Sequence, residues 1–480
     1  MLYGKNIIAE PLSRLYTVML RSGNVPDKMK KGEIITLFKG GRKRRDQPNN
    51  YRAITLSSTL LKLYESILLS RCKDGILASI RKLQGGFQDG LGCIMTSFSL
   101  RECLYYAKEL GSSVYLCFLD ARQAFDRVWH DGLFHKLLSI SGVYDPDPVI
   151  DTNTLLALRE MYRNSTSRVC HRGLISEPLP IGQGTRQGGK SSPLLYLIYI
   201  NGLIEKLEES GDGLCIYDIN MASPTVADDM VLVSYSKNGL EMMLKICYEY
   251  ANRWRFLYNA SKCSVLFYNK KTEETSTFYL GHDRLPASDK YTHLGIECNS
   301  FLTTNNAIHD ACVRLRGTYM SLCSKGVAPE RLSQPTLSTI FNSSVIPKTL
   351  YGCELWNNNS QSDLVQLSIA HNFCLKHMQG YDINISTDYC LSTINTVPIV
   401  DELEIRKLTF FGQICRLNPK YLAKDIFNNR LLRHIELEGQ CIGYIPDAYR
   451  ILQKYDLMNV LRSYVKDGNF PTKRQWKKNS

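Results

Sequence analysis

Thr225-Val226-Ala227-Asp228-Asp229-Met230-Val231-Leu232-Val233 sets two adjacent carboxylates between short apolar runs. The flanks read as two strands of a tight hairpin with the acids at or beside the turn. Burying that hairpin desolvates both carboxylates, which is unfavourable unless a cation compensates. Val114-Tyr115-Leu116-Cys117-Phe118-Leu119 is a second continuous apolar run, and it ends on Asp120. Each piece alone has an ordinary explanation, a polar turn for the first and a strand-end or N-cap residue for the second. Three carboxylates on neighbouring strands of one sheet make an oxygen-rich site for hard divalent cations. Magnesium suits such ligands and is completed by water and substrate phosphates. Two such ions roughly 3.5–4 Å apart activate a hydroxyl and stabilise a leaving pyrophosphate in an in-line displacement.

The surrounding segments decide between these readings. Gly23-Asn24-Val25-Pro26 and Gly32-Glu33-Ile34-Ile35-Thr36-Leu37-Phe38-Lys39 come first, followed by Asn50-Tyr51-Arg52-Ala53-Ile54-Thr55-Leu56 and Gln84-Gly85-Gly86-Phe87-Gln88-Asp89-Gly90. Phe118-Leu119-Asp120-Ala121-Arg122-Gln123-Ala124-Phe125-Asp126-Arg127-Val128 carries the first acid. Gly182-Gln183-Gly184-Thr185-Arg186-Gln187-Gly188-Gly189-Lys190-Ser191-Ser192-Pro193 precedes the second pair, and Ser261-Lys262 and Tyr291-Thr292-His293-Leu294-Gly295 close the series. In this order the blocks resemble the reverse transcriptase of non-LTR (LINE-type) retrotransposons over roughly residues 18–300.

The resemblance implies roles residue by residue. Asp120, Asp228 and Asp229 bind the metal ions, with the Ala121 carbonyl assisting; the ions are two Mg2+, with Mn2+ as the alternative. Phe125 stands where the family places an aromatic gate against the ribose 2′-hydroxyl; its ordinary reading is a core aromatic. Gln187 and Gly188 lie against the incoming dNTP, where a carboxamide donates hydrogen bonds and a glycine permits close backbone approach. Lys39 and Arg52 neutralise the triphosphate. Lys262 is the general acid for pyrophosphate, or else a solvated strand-end lysine. Val226, Met29, Thr36 and Ala53 depart from common family residues without removing a ligand.

Composition agrees with a polyanionic partner. The chain has 480 residues, 44% hydrophobic, with a formal charge of +13. It is long enough for two or three domains. The cations concentrate early: Lys39-Gly40-Gly41-Arg42-Lys43-Arg44-Arg45 reads as a template-phosphate grip, a nuclear-import signal or a solvated basic loop. The tail Lys473-Arg474-Gln475-Trp476-Lys477-Lys478 interleaves cations with an aromatic, a pattern that stacks on single-stranded bases. Sixteen cysteines without a Cys-x-x-Cys pair read as reduced thiols. His371-x-x-Cys374-x-x-His377 lies in a helical pattern and reads as packing. With no long apolar stretch and a polar start, the expected setting is intracellular and nuclear, without secretion or a membrane.

The expected architecture is α+β: a right-hand polymerase with fingers and a split βαβ-type palm, then a mainly helical thumb and C-terminal region. The boundaries fall at 18–300 for the reverse transcriptase domain, 301–420 for the thumb and post-thumb region, and 421–480 for a basic C-terminal extension. The thumb begins where Ile308, Ala311, Cys312, Leu315, Tyr319 and Leu322 share one helical face. The implied partners are an RNA template, a DNA primer, dNTPs and an endonuclease supplied elsewhere, because the first block begins within 40 residues of the start. The competing expectation is a decayed or co-opted remnant that binds nucleic acid without turnover.

Overall fold

The computed structural model describes residues 4–41, 43–142, 148–269 and 276–479. The fingers are built on two β-branched, aromatic-rich segments. Strands β1 (Lys31–Phe38) and β2 (Tyr51–Ser57) pair antiparallel, with Leu37 opposite Arg52. The basic run lies at their connection. Arg42 falls outside the described residues, Arg44 pairs with Asp46 at 2.5 Å, and Arg45 lies over the Phe38 ring. Part of that run is therefore engaged locally.

Helices α1 (Thr59–Ser79) and α2 (Cys93–Glu109) lead into the palm. Helix α2 is buried around most of its circumference, as expected of a helix enclosed by other layers. Strand β3 (Val114–Leu119) has almost no exposed residue, which explains its unbroken apolar sequence. Strand β4 (Thr166–His171) joins the fingers sheet parallel to β1. Helix α3 (Ser192–Glu209) returns the chain to the palm, where β5 (Thr225–Val226) and β6 (Asp229–Ser234) form the hairpin anticipated from the sequence. Helix α4 (Lys237–Arg253) then leads to β7 (Ser264–Tyr268).

The palm sheet runs β7-β3-β6-β5 in space, every neighbour antiparallel. In chain order this is 4-1-3-2. The first strand reaches the second across a helical crossover, and the third strand inserts between them. That is the split βαβ topology expected from the sequence.

Strands β8 (Lys290–His293) and β9 (Ile296–Asn299) make a small hairpin docked on this sheet, with Tyr291 stacked on Phe118 at 4.4 Å. Beyond it lie two cores. One, running from Ile308 to Leu403, belongs to the thumb helices α5 (Asn305–Cys323) and α6 (Gln361–Met378) with the start of α7 (Ile399–Cys415). Of the expected α5 face, Ile308, Ala311, Leu315 and Tyr319 are buried there, while Cys312 and Leu322 pack partly against it. His371 and Cys374 are buried within it, and His377 shares a hydrogen bond with the Tyr319 hydroxyl.

The other core unites the fingers and palm with residues 408–476. Helix α8 (Leu422–Glu436) packs on α2 of the palm and on α7, so the last 60 residues join the palm to the end of α7. The expected stacking role of Trp476 is corrected by this packing. Trp476 is 1% exposed and donates its indole N–H to the Leu408 carbonyl, so its ring is not available to stack on bases. The sequence pattern suggested otherwise because its flanking cations are polar on every side, and local composition does not reveal a docked helix.

Candidate active site

The palm register brings the acids together. Met230 pairs with Leu119, and one step further along the same ladder Asp229 stands beside Asp120. Residues opposite each other in an antiparallel pair project to the same face. Ala227 and Asp228 are the two loop residues of the β5–β6 hairpin, and Ala227 takes a left-handed φ of 58°. Two-residue hairpins favour that conformation because it matches the strand twist.

The turn is held from behind by a buried amide. The Gln84 side-chain oxygen accepts from the Ala227 amide at 2.8 Å and from the Gly86 amide at 2.9 Å. Gly85 donates to the Thr225 carbonyl and Thr225 to the Leu83 carbonyl, so residues 83–86 extend the ladder past β5. A Cβ at Gly86 would meet the Ala227 nitrogen at 2.6 Å, which excludes any larger residue without movement of the turn. The sequence assigned Gln84 no function. Its burial, at 0% exposure, is the signal that would have found it, and only the folded chain shows that.

Electrostatically the site is under-compensated. Burial, then the charge of Asp229 and more weakly that of Asp120, push Asp228 up to about 6. Asp229 opens to solvent, yet partial burial and the Asp120 charge raise its pKa as well. Among the described residues no side-chain donor hydrogen-bonds these carboxylates. Lys262, 66% exposed, is the ion-pair partner of Asp120 at 3.6 Å. The Ala121–Tyr258 bridge runs through the Asp120 carbonyl and the Arg122 amide, not through the Ala121 carbonyl.

This donor set fits divalent cations. The candidate donors are hard oxygens, and burial, with mutual repulsion behind it, raises the protonation tendency of Asp228 and Asp229. Among the described residues no three His, Cys, Asp or Glu side chains already form a metal-binding group. Among the described residues the three carboxylates are thus neighbours on the palm sheet and not a preassembled metal cage.

The other expected residues fall into two sets. Phe125 stacks on buried Tyr196 at 4.4 Å, beneath the acids. Gln187 donates to Asp126 at 2.9 Å, and its carbonyl accepts from the Thr55 amide. Gly188 has φ 114°, and a Cβ there would meet the Thr55 carbonyl at 2.9 Å. Its glycine is thus demanded by the fingers strand itself. Asp126 is raised by burial, against the pull of Gln187 and the charge of Lys39. Lys39 and Arg52 share one face of the fingers hairpin, being two steps apart on the β1–β2 register. The Lys39 ammonium is bonded to the Asn49 carbonyl at 2.7 Å. Asp126, like Gln84, carried no assigned role in the sequence, although it lies next to Phe125.

A family model described as reverse transcriptase (RNA-dependent DNA polymerase) matches residues 38–297, more than half of the chain. The chain belongs to the reverse transcriptase family. The match contains every expected site residue from Lys39 to Lys262. The chain is 27% identical over 433 residues to the RNA-directed DNA polymerase from mobile element jockey of Drosophila melanogaster, covering 86% of this chain and 44% of that relative. The probable RNA-directed DNA polymerase from transposon BS of the same fly is 25% identical over 451 residues, covering 89% and 47%. This reverse transcriptase chain thus spans less than half the length of these relatives. Among solved structures, apo telomerase from Candida tropicalis aligns over 98% of this chain and 74% of its own, with a TM-score of 0.42 and 12% identity. No helix among the described residues is long and apolar enough to cross a membrane.

Proposed function

We propose that this chain is the RNA-directed DNA polymerase of a non-LTR retrotransposon, extending a DNA primer with dNTPs on an RNA template. The observation that carries the reading is the convergence of Asp120, Asp228 and Asp229 at one end of the palm sheet, with Asp228 raised to about 6. Such a site gains most from cations, and nucleotidyl transfer uses them. When bound by these three side chains and the Ala121 carbonyl, two Mg2+ ions supply charge neutralisation for the attacking 3′-hydroxyl and the departing pyrophosphate.

The protein's own groups supply position. Asp228 and Asp229 are fixed by a turn that Gln84 clasps, so the ligands need little rearrangement before reaction. Lys39 and Arg52 present cations from one fingers face to the triphosphate. Gln187, oriented by Asp126, contacts the nucleotide. Phe125, backed by Tyr196, fills the space a 2′-hydroxyl needs. Lys262 beside Asp120 is placed to give a proton to pyrophosphate. Action on target DNA places the protein in the nucleus, beside an endonuclease activity that nicks it.

The test is magnesium-dependent dNTP incorporation by purified protein on a primed RNA template, beside Asp228→Ala. Activity in the native chain and its loss in the variant is the expected result. Salt-sensitive binding of template–primer by both proteins, with incorporation by neither, overturns it in favour of a non-catalytic remnant.

A further inference from the structure

Phe87 is a bulky aromatic held at φ 53°, in the left-handed region that such residues avoid. The residue is also 51% exposed, so burial does not repay the strain. Strained residues of this kind persist where the surroundings over-determine them, and they cluster at functional sites. Here the surroundings are visible. On one side, the Gln84 side-chain oxygen accepts from the Ala227 amide of the turn and from the Gly86 amide, so Gly86 is fastened to the turn through Gln84. Asp89, on the other, is tied by its carboxylate to Lys73 at 2.9 Å and by its carbonyl to the Tyr421 hydroxyl at 3.1 Å. Between these anchors the Phe87 ring meets Phe125 edge-on, with centroids 6.2 Å apart and planes at 86°. Phe125 lies in turn on Tyr196, which is 3% exposed.

We propose that Phe87 is a specificity-determining positioning residue: it braces the outer side of Phe125, so that the gate ring is clamped between Phe87 and Tyr196 and cannot swing away from a ribose 2′-hydroxyl. This rests on the reading of the chain as a polymerase with Phe125 as its gate. The clamp has one wall set by the core and one set by a strained loop. The loop is joined to the same turn that carries Asp228, so the sugar filter and the metal ligands share a single frame. An edge-to-face contact is directional, which suits it to fixing a ring's orientation rather than merely covering it.

The test compares Phe87→Asn, Phe87→Tyr, Phe125→Ala and the double variant Phe87→Asn/Phe125→Ala. Asparagine tolerates the left-handed backbone but has no ring; tyrosine keeps the ring. The readouts are the ratio of kcat/KM for dNTP over rNTP and the thermal midpoint. Phe87→Asn is expected to lower the ratio by about two- to tenfold, the factor associated with one aromatic pair, mainly through a higher kcat/KM for rNTP. Its thermal midpoint should stay level or rise, because strain is relieved. Phe87→Tyr should restore the ratio. The double variant should be no less selective than Phe125→Ala alone, since the brace acts only through the gate. An unchanged ratio in Phe87→Asn, or losses that add in the double variant, overturns the proposal. If the native chain does not extend primers, the polymerase reading fails separately. The brace is then judged by equilibrium binding of dNTP and rNTP to the protein on a dideoxy-terminated primer–template. Equal preference in native and Phe87→Asn proteins sinks it there too.

Discussion

Two carboxylate clusters in this protein receive opposite treatment. On α2, Glu102 is buried and Glu109 partly buried against α8, and every carboxylate oxygen has a partner. Arg430 donates to Glu102 at 2.9 Å and to both oxygens of Glu109, Arg433 adds a further bond, and the Tyr444 and Ile442 amides complete the set. Burial outweighs the pull of Arg430 on Glu102 and leaves it raised. The bonds from Arg430 and Ile442 overcome burial at Glu109 and lower it. At the palm hairpin, Asp120, Asp228 and Asp229 face each other, and among the described residues a largely exposed Lys262 is the cation paired there. The first cluster is closed and fastens the C-terminal helices to the palm. The second is left open, with partly exposed acids and no such fastening among the described residues.

The comparison breaks first on rate. Asp228→Asn should reduce primer extension by at least about a thousandfold, through several kcal/mol of lost transition-state stabilisation. Its metal-free unfolding midpoint should hold or rise, because a repelled carboxylate is gone. A large loss of stability in that variant would mean the hairpin acids are structural after all. Arg430→Ala should do the reverse. Stranding buried Glu102 and partly buried Glu109 should cost about 3–5 kcal/mol in denaturant unfolding, and a cost near zero would remove the distinction between the clusters.

Gln84→Ala tests whether the open cluster depends on its clasp. Leaving the Ala227 amide without its buried acceptor should cost about 1–3 kcal/mol of stability and lower kcat more than it raises the dNTP KM. A change in KM alone would relocate the role of Gln84 to nucleotide binding.

The smallest effect expected is on pH. Asp228 is at about 6 when folded against an ordinary 3.8, so the folded state binds more protons in that interval. Metal-free stability contributed by this group is therefore greatest at low pH and declines as pH rises from about 4 to about 6. Added magnesium should reverse the trend, raising the thermal midpoint at pH 7.5 and much less at pH 5. Equal magnesium stabilisation at both pH values, or its persistence in Asp228→Asn, would contradict binding at these acids.

Much of this was legible in the sequence for a definite reason. The acids were found because an unbroken apolar run marks a strand buried on both faces, and a carboxylate at its end stands out. Val114–Leu119 and Met230–Val233 are of that kind. Gly188 was read as a glycine that lets the nucleotide approach closely; the structure adds that the Thr55 carbonyl leaves no room for a Cβ there. Gln84 and Asp126 were passed over because polar residues in loops look alike until burial and partners are known. Trp476 was misread for the same reason: the helix that hides it becomes amphipathic only against the Leu408 carbonyl and the Phe411 and Phe470 rings.

By itself the sequence determined the reaction chemistry available to this protein. Residue type and spacing alone fix which side chains can ligate hard cations, and apolar periodicity fixes which strands carry them. Only the tertiary structure decided that these acids remain uncompensated while Glu102 and Glu109 do not. Compensation depends on what lies within a few ångströms, and Arg430 stands 328 residues from Glu102 along the chain.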